Sequence, residues 1–282
     1  MQKTKFAFFG TDSIAICALE ELSNAGYLPA VIICSPDKPK GRGLSVTPPP
    51  SKIWALEKNI PVIQPIKLDD VFLVQLKQYG LQFGVVASYG KIISEPVLNS
   101  FQLGLLNIHP SLLPKLRGPS PIESTILTEN TAGVSIIKID REMDHGPILA
   151  QRQVNFSEWP PRYKDAEKIL GSEGGRILAE ILPNFINDET KEREQNHGEA
   201  TFTKKITKED ALIDLSGNPA QNLRKIRAYE EWPGAYFFYE SNKGKTRIKI
   251  TEAHIEAGQL MLDKVVPEGK KEMSWVDFKK GN

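Results

Sequence analysis

Short apolar runs alternate with amphipathic stretches through the first half of this chain, and that alternation restricts the fold more than any other feature. Lys5–Phe9, Ala30–Cys34, Val62–Gln64, Gln82–Ala87 and Leu105–His109 read as strands. Asp12–Ala25, Ser51–Lys58 and Val71–Tyr79 carry helical spacing between them. Such a pattern predicts βαβ units, and therefore a parallel sheet with helices on both faces. Val134–Asp140 and Ile148–Val154 read as two further strands, with Met143–Gly146 in the turn between them, and Lys164–Phe185 as a long amphipathic helix. The expected fold class is α/β: a Rossmann-like, doubly wound, mainly parallel sheet over residues 1–187. A polar linker is expected over 188–203. In the region 204–282, Asn218-Pro219 starts a helix and short strands follow, a pattern that fits a small open β-barrel.

Composition bounds the function classes. At 40% hydrophobic and 25% charged residues the chain is an ordinary soluble one, and a net charge of +1 gives no global sign of a polyanionic partner. Locally, residues 35–52 hold Lys38, Lys40, Arg42 and Lys52 against Asp37 alone. Cys17 and Cys34 lie in apolar contexts and read as buried free thiols of a reducing compartment. With no leader-like start and no apolar run near the ~20 residues a bilayer needs, a cytoplasmic protein without a membrane partner is expected. Nothing patterns as a dimer seam, so a monomer is the default.

Two segments carry chemistry: NIHPSLLPKLRG at 107–118 and MDHG at 143–146. Asn107 and His109 are two apart on a strand, so amide and imidazole project from one face. Ligand sites in open α/β sheets lie beyond the carboxyl ends of the strands, which is where this pair falls. An amide donor, an imidazole and an arriving carboxylate, Asp144, suit transfer of an acyl group to an amine. On the residues alone, His109 reads equally as a structural histidine. His145 points away from the Asp144 side, and His197 and His254 have no nearby ligand partners, so no metal is expected. FFGTDS at 8–13 has one glycine, which disfavours a dinucleotide and leaves Thr11 or Ser13 near the N-cap of the first helix. There is no G-x-S-x-G elbow, so Ser111 is not read as a nucleophile. Ser111, Leu112, Leu113 and Pro114 can line a flat heterocycle, with Tyr89, Gly90 and Ile92 as an opposite wall. The long basic loop at 35–50 suits phosphates or splayed nucleotides.

NIHPSLLPKLRGPSPIESTIL (107–127) and DREMDHGPIL (140–149) resemble the folate-dependent formyltransferases, and the resemblance covers almost the whole chain. SPDKPKGRG with TPPPSKIWALEKNIPVIQP (47–65) is similar to the basic insertion of the family's tRNA-acting branch. FTKKITKEDALIDLS, IRAYEEWPGAY and PEGKKEMSWVDF are similar to its C-terminal OB-like, tRNA-binding domain. The resemblance implies transfer of a formyl group from 10-formyltetrahydrofolate to the α-amino group of methionine on initiator methionyl-tRNA. It implies a direct transfer, with no covalent intermediate and no metal. Asn107 would bind the formyl oxygen as it becomes an oxyanion, His109 would manage the amine proton, and Asp144 would orient His109 and favour its charged form. Ser111–Pro114 would line the folate site, and Lys38, Lys40 and Arg42 would contact the acceptor end. The interval 254–266 is short for that family, so the C-terminal domain is expected to be reduced. The same catalytic residues would also serve an amino-sugar or nucleotide formyltransferase, and the fold would also suit an RNA-binding relative without activity.

Overall fold

The computed structural model describes residues 4–40, 45–241 and 244–281. In chain order the elements are β1 (Phe6–Gly10), α1 (Ser13–Asn24), β2 (Val31–Ile33), β3 (Lys38–Lys40), β4 (Ser45–Thr47), α2 (Pro50–Glu57) and β5 (Val62–Ile63). They continue with α3 (Asp70–Lys77), β6 (Phe83–Ala87), α4 (Glu95–Leu98), β7 (Leu105–His109), α5 (Pro121–Thr128), β8 (Ala132–Lys138), β9 (Ile148–Val154) and α6 (Tyr163–Ile186). The C-terminal part holds α7 (Pro219–Ala228), β10 (Tyr236–Ser241), β11 (Gly244–Glu256), β12 (Gln259–Pro267), β13 (Met273–Ser274) and α8 (Trp275–Lys280). Two compact units form: Met1–Pro121, Ala132–Val154 and Glu167–Phe202 in one; Ile122–Thr131, Asn155–Ala166 and Thr203–Asn282 in the other.

The first unit is built on a seven-stranded sheet in the order β5-β2-β1-β6-β7-β8-β9. The first five pair in parallel and the last two join antiparallel, so the sheet is mainly parallel. After β1 the chain builds one side, then returns to start β6 on the other, which makes the β1/β6 gap the topological switch point. Alternation along the strands divides the core. Ala7 and Phe9 of β1 pack with Phe72 and Leu76 of α3. Phe6 stacks on Phe83, which meets Phe185 of α6 edge-on.

α6 carries three interior glycines, each costing helix stability. The reason is proximity: a Cβ on Gly174 would sit 2.3 Å from Ile108 Cγ2 of β7, and one on Gly175 would sit 2.7 Å from the Ala18 carbonyl of α1.

Three local departures from the sequence reading have physical causes. α1 starts with Asp12 as N-cap rather than Thr11 or Ser13, and without a side-chain cap bond. Asp12 Oδ2 instead accepts from Ser88 Oγ at 2.6 Å, and Thr11 Oγ1 accepts from the Ser35 amide. The basic loop contains a short hairpin, β3 with β4. The polar stretch expected as a linker is tied down: Arg193 and Ile148 exchange backbone hydrogen bonds, and Gln195 is buried. Its contacts are hydrogen bonds, so no apolar periodicity announces them.

The second unit holds a four-stranded antiparallel sheet, β10-β11-β12-β13. Phe237, Ile248, Ile250 and Val265 pack there with Ile226 of α7 and Phe278 of α8. Asn218 caps α7 through the Gln221 amide. β11 and β12 are joined by Ala257 and Gly258, both at positive φ, so a two-residue hairpin turn takes up the short interval noted in the sequence.

Candidate active site

β7 presents Leu105, Asn107 and His109 on one face, and the last two meet Asp144 from the β8–β9 turn. Asn107 Nδ2 donates to Asp144 Oδ1 at 3.2 Å, and His109 Nδ1 lies 3.6 Å from that same oxygen. Asp144 Oδ2 accepts from the Gly118 amide at 2.8 Å. His109 is buried, while Asn107 and Asp144 are half-buried, so the group closes off the imidazole and leaves an open side. His109 Nε2 is 3.0 Å from the Leu116 carbonyl. A carbonyl only accepts, so Nε2 holds a hydrogen and the nitrogen free to gain or lose a proton is Nδ1, facing Asp144. Leu116 (φ 62) and Asp144 (φ 51) both adopt the left-handed backbone, which non-glycine residues enter at a cost. These turns aim the Leu116 carbonyl and the Asp144 carboxylate at one imidazole.

Chemically, this arrangement can stabilise a developing oxyanion with the second Asn107 N–H while Nδ1 of His109 exchanges a proton beside a carboxylate. Among the described residues no group of three His, Cys, Asp or Glu is placed to hold a metal ion. Likewise, none of the described helices is long and apolar enough to cross a membrane.

Comparison with known proteins agrees with this chemistry. Residues 4–161 match the formyl transferase family, and 205–259 match the formyl transferase C-terminal domain. The chain belongs to the formyl transferase family. It is similar to the methionyl-tRNA formyltransferase of Chloroflexus aurantiacus, at 43% identity over 83% of this chain and 76% of that one. Similarity to the Herpetosiphon aurantiacus methionyl-tRNA formyltransferase is 34%, over 98% and 97% of the two chains. Among solved structures, methionyl-tRNA formyltransferase from Clostridium thermocellum superposes with a TM-score of 0.61, covering 94% and 98% of the chains at 18% identity, which is a likeness of fold.

In this formyl transferase the SLLP loop is rigidly built. Ser135 Oγ donates to the Ser111 carbonyl and accepts from the Leu113 amide, and Gln151 Nε2 donates to the Leu113 carbonyl. Ser111 Oγ donates to the Lys115 carbonyl. Leu113 is packed against Ile137 and Ile148, so its side chain supports the loop from inside. Leu112 and Pro114 stay half-buried and accessible. Of the opposite wall, Ile92 is 87% exposed and Gly90 lies open at positive φ. Tyr89 instead belongs to the core, edge-on to Phe9, and burial pushes its hydroxyl's pKa far up. An aromatic after a strand reads from sequence as exposed, but the turn folds its ring beneath β1.

Lys38 is exposed on the β3–β4 hairpin, and the Lys40 backbone pairs there with Ser45. Arg42 lies outside the described residues. Lys52, counted among the basic cluster in sequence, is held by Asp37 at 2.8 Å and by Gln64 at 2.8 Å, which anchors the base of the hairpin. The Lys52 ammonium and Gln64 lower the Asp37 pKa in turn.

Sequence reasoning missed four further residues. Arg117, 3% exposed, donates from Nε and Nη2 to Gln195 Oε1 at 3.2 and 2.7 Å, and from Nη2 to His197 Nδ1 at 2.9 Å. Gln195 Nε2 donates to the carbonyls of Asp144 (2.9 Å) and Gly146 (2.7 Å). The rings of His197 and His145 stack at 4.0 Å, and His145 Nδ1 reaches Asp140 Oδ2 at 2.6 Å. Arg117 in an RG dipeptide carried the only available signal; His145 and His197 find partners through the tertiary fold alone.

Proposed function

We propose that this enzyme transfers a formyl group from 10-formyltetrahydrofolate to the α-amino group of methionine on initiator methionyl-tRNA, in the cytoplasm. The convergence of Asn107, His109 and Asp144 at the carboxyl end of β7 is the observation that carries this reading. In the reaction the amine attacks the formyl carbon, Asn107 binds the oxygen as charge builds on it, and His109 Nδ1 takes the amine proton. Asp144 fixes the imidazole and balances its charge. As the tetrahedral species collapses, the bond from the formyl carbon to the donor nitrogen breaks and that nitrogen takes the proton held on His109, releasing tetrahydrofolate and restoring the imidazole. The SLLP loop and the Gly90–Ile92 segment border the place for the folate. Similarity to methionyl-tRNA formyltransferases along nearly the full chain supports a tRNA acceptor. So does the exposed ring of Phe238 on the second sheet, with Lys245 over it at 4.7 Å, a cation–aromatic pair suited to RNA. The test offers initiator methionyl-tRNA and a nucleotide-linked amino sugar with the same donor. Formylation of the tRNA alone is expected; formylation of the sugar alone sinks the reading.

A further inference from the structure

We propose that Gln195 is a positioning residue of the reaction, acting as a strap that holds the Asp144 turn against the Leu116–Gly118 turn. The inference rests on Asp144 being the acid of the site. Its geometry is independent of which acceptor is used. The Asp144 carboxylate and the Leu116 carbonyl are brought to His109 by two separate turns, each with a left-handed residue. Left-handed conformations of non-glycine residues persist only where their surroundings over-determine them. The segment 193–201 does this for both turns at once. On one side Gln195 Nε2 donates to the Asp144 and Gly146 carbonyls. On the other, the Leu116 amide donates to Thr201 Oγ1 at 2.9 Å and the Arg117 amide to the Thr201 carbonyl at 2.9 Å.

A single side chain closes the circuit, because Gln195 Oε1 is also the acceptor for the buried Arg117 guanidinium. A Gln is the neutral side chain of that length that offers an acceptor to a cation and two N–H donors to carbonyls. His197, stacked on His145, takes the remaining Arg117 contact and orders the outer end of the array. Gly146, whose carbonyl Gln195 holds, lies close on the end of β8: a Cβ there would fall 1.9 Å from the Lys138 carbonyl. Without the strap, Asp144 keeps its bonds to Asn107 and Gly118 but loses the hold on its own backbone.

The discriminating variant is Gln195→Glu. It retains an acceptor for Arg117, and so the buried cation's partner, but removes both donors to the turn. Hydrogen exchange of residues 140–147 and formyl transfer are measured together, with Glu194→Ala on the exposed neighbouring position as control. The strap predicts exchange at least tenfold faster in 140–147. It predicts kcat down by about 10- to 100-fold with KM for donor and acceptor changed less than threefold, because misplacement of a catalytic group acts on the chemical step. Exchange in 140–147 unchanged in folded Gln195→Glu would overturn the proposal whatever the acceptor proves to be. Should that variant not fold, Gln195→Met, which removes donors and acceptor together, is read by the same exchange measurement. A fall in KM-limited binding with kcat intact would equally reject a positioning role. Failure of the unsubstituted chain to formylate tRNA would overturn the functional reading alone, since the exchange result stands apart from it.

Discussion

At the residue scale, one N–H of Asn107 holds the Asp144 carboxylate at 3.2 Å, and the proposed reaction asks the other to bind the reacting oxygen. Losing one oxyanion donor costs about 100- to 1000-fold in kcat. Asn107→Ala is therefore expected to fall by that factor in a single-turnover assay while its Tm stays close to the parent's; near-normal turnover would remove Asn107 from the mechanism. Asp12 behaves differently. Burial raises its carboxyl's pKa, only partly countered by Ser88, and its Oδ1 is buried without a partner. An acid raised in the folded state binds its proton more tightly there than in the unfolded chain, so stability drops as pH rises from the unfolded pKa through the folded one. Asp12→Asn is expected to be neutral for Tm below about pH 4, near the ordinary Asp pKa, and to raise Tm at pH 7. A lower Tm at pH 7 would show that the charge is used. Asn107 and His109 were legible in sequence because a strand's period puts both on one face. Gln195 was not, since its partners are backbone carbonyls and a cation brought in by the fold.

At the element scale, α6 shows propensity yielding to packing. Alanine at Gly175 would favour the helix by about 1 kcal/mol. Its Cβ would nonetheless meet the Ala18 carbonyl at 2.7 Å and Glu21 Cβ at 2.8 Å, contacts with the body of α1 that cannot swing away. Overpacking of this kind costs about 1–3 kcal/mol. Gly175→Ala should lower the thermal midpoint, and a raised midpoint would contradict the close approach of α6 to α1. The long, periodic elements were readable before the structure: β1, β6, β7 and α6 fall where alternation and amphipathicity put them. The β3–β4 hairpin was not, because three-residue strands with Pro39 in one of them carry no periodic signal. The anchoring of 188–202 was hidden for the same reason that hides Gln195: its stabilisation is polar.

At the scale of the whole molecule, the near-neutral total charge conceals where cations are placed. Lys52 is committed to Asp37, whereas Lys38 projects from the hairpin into solvent. If the hairpin meets RNA phosphates, affinity must fall with salt, and Lys38→Glu must weaken binding for all sequences alike and lower the salt slope by about 1. The check is tRNA KM measured from low to moderate salt; an unchanged slope would take Lys38 out of the contact. In the proposed function the chemistry rests on three side chains of the first unit, and choice of acceptor draws on surfaces outside them. The central claim is accordingly tested by offering 10-formyltetrahydrofolate with charged initiator methionyl-tRNA and, in parallel, charged elongator methionyl-tRNA. Rapid formylation of the initiator with little or none of the elongator is the predicted result; formylation of neither, with tetrahydrofolate still bound, would contradict the account.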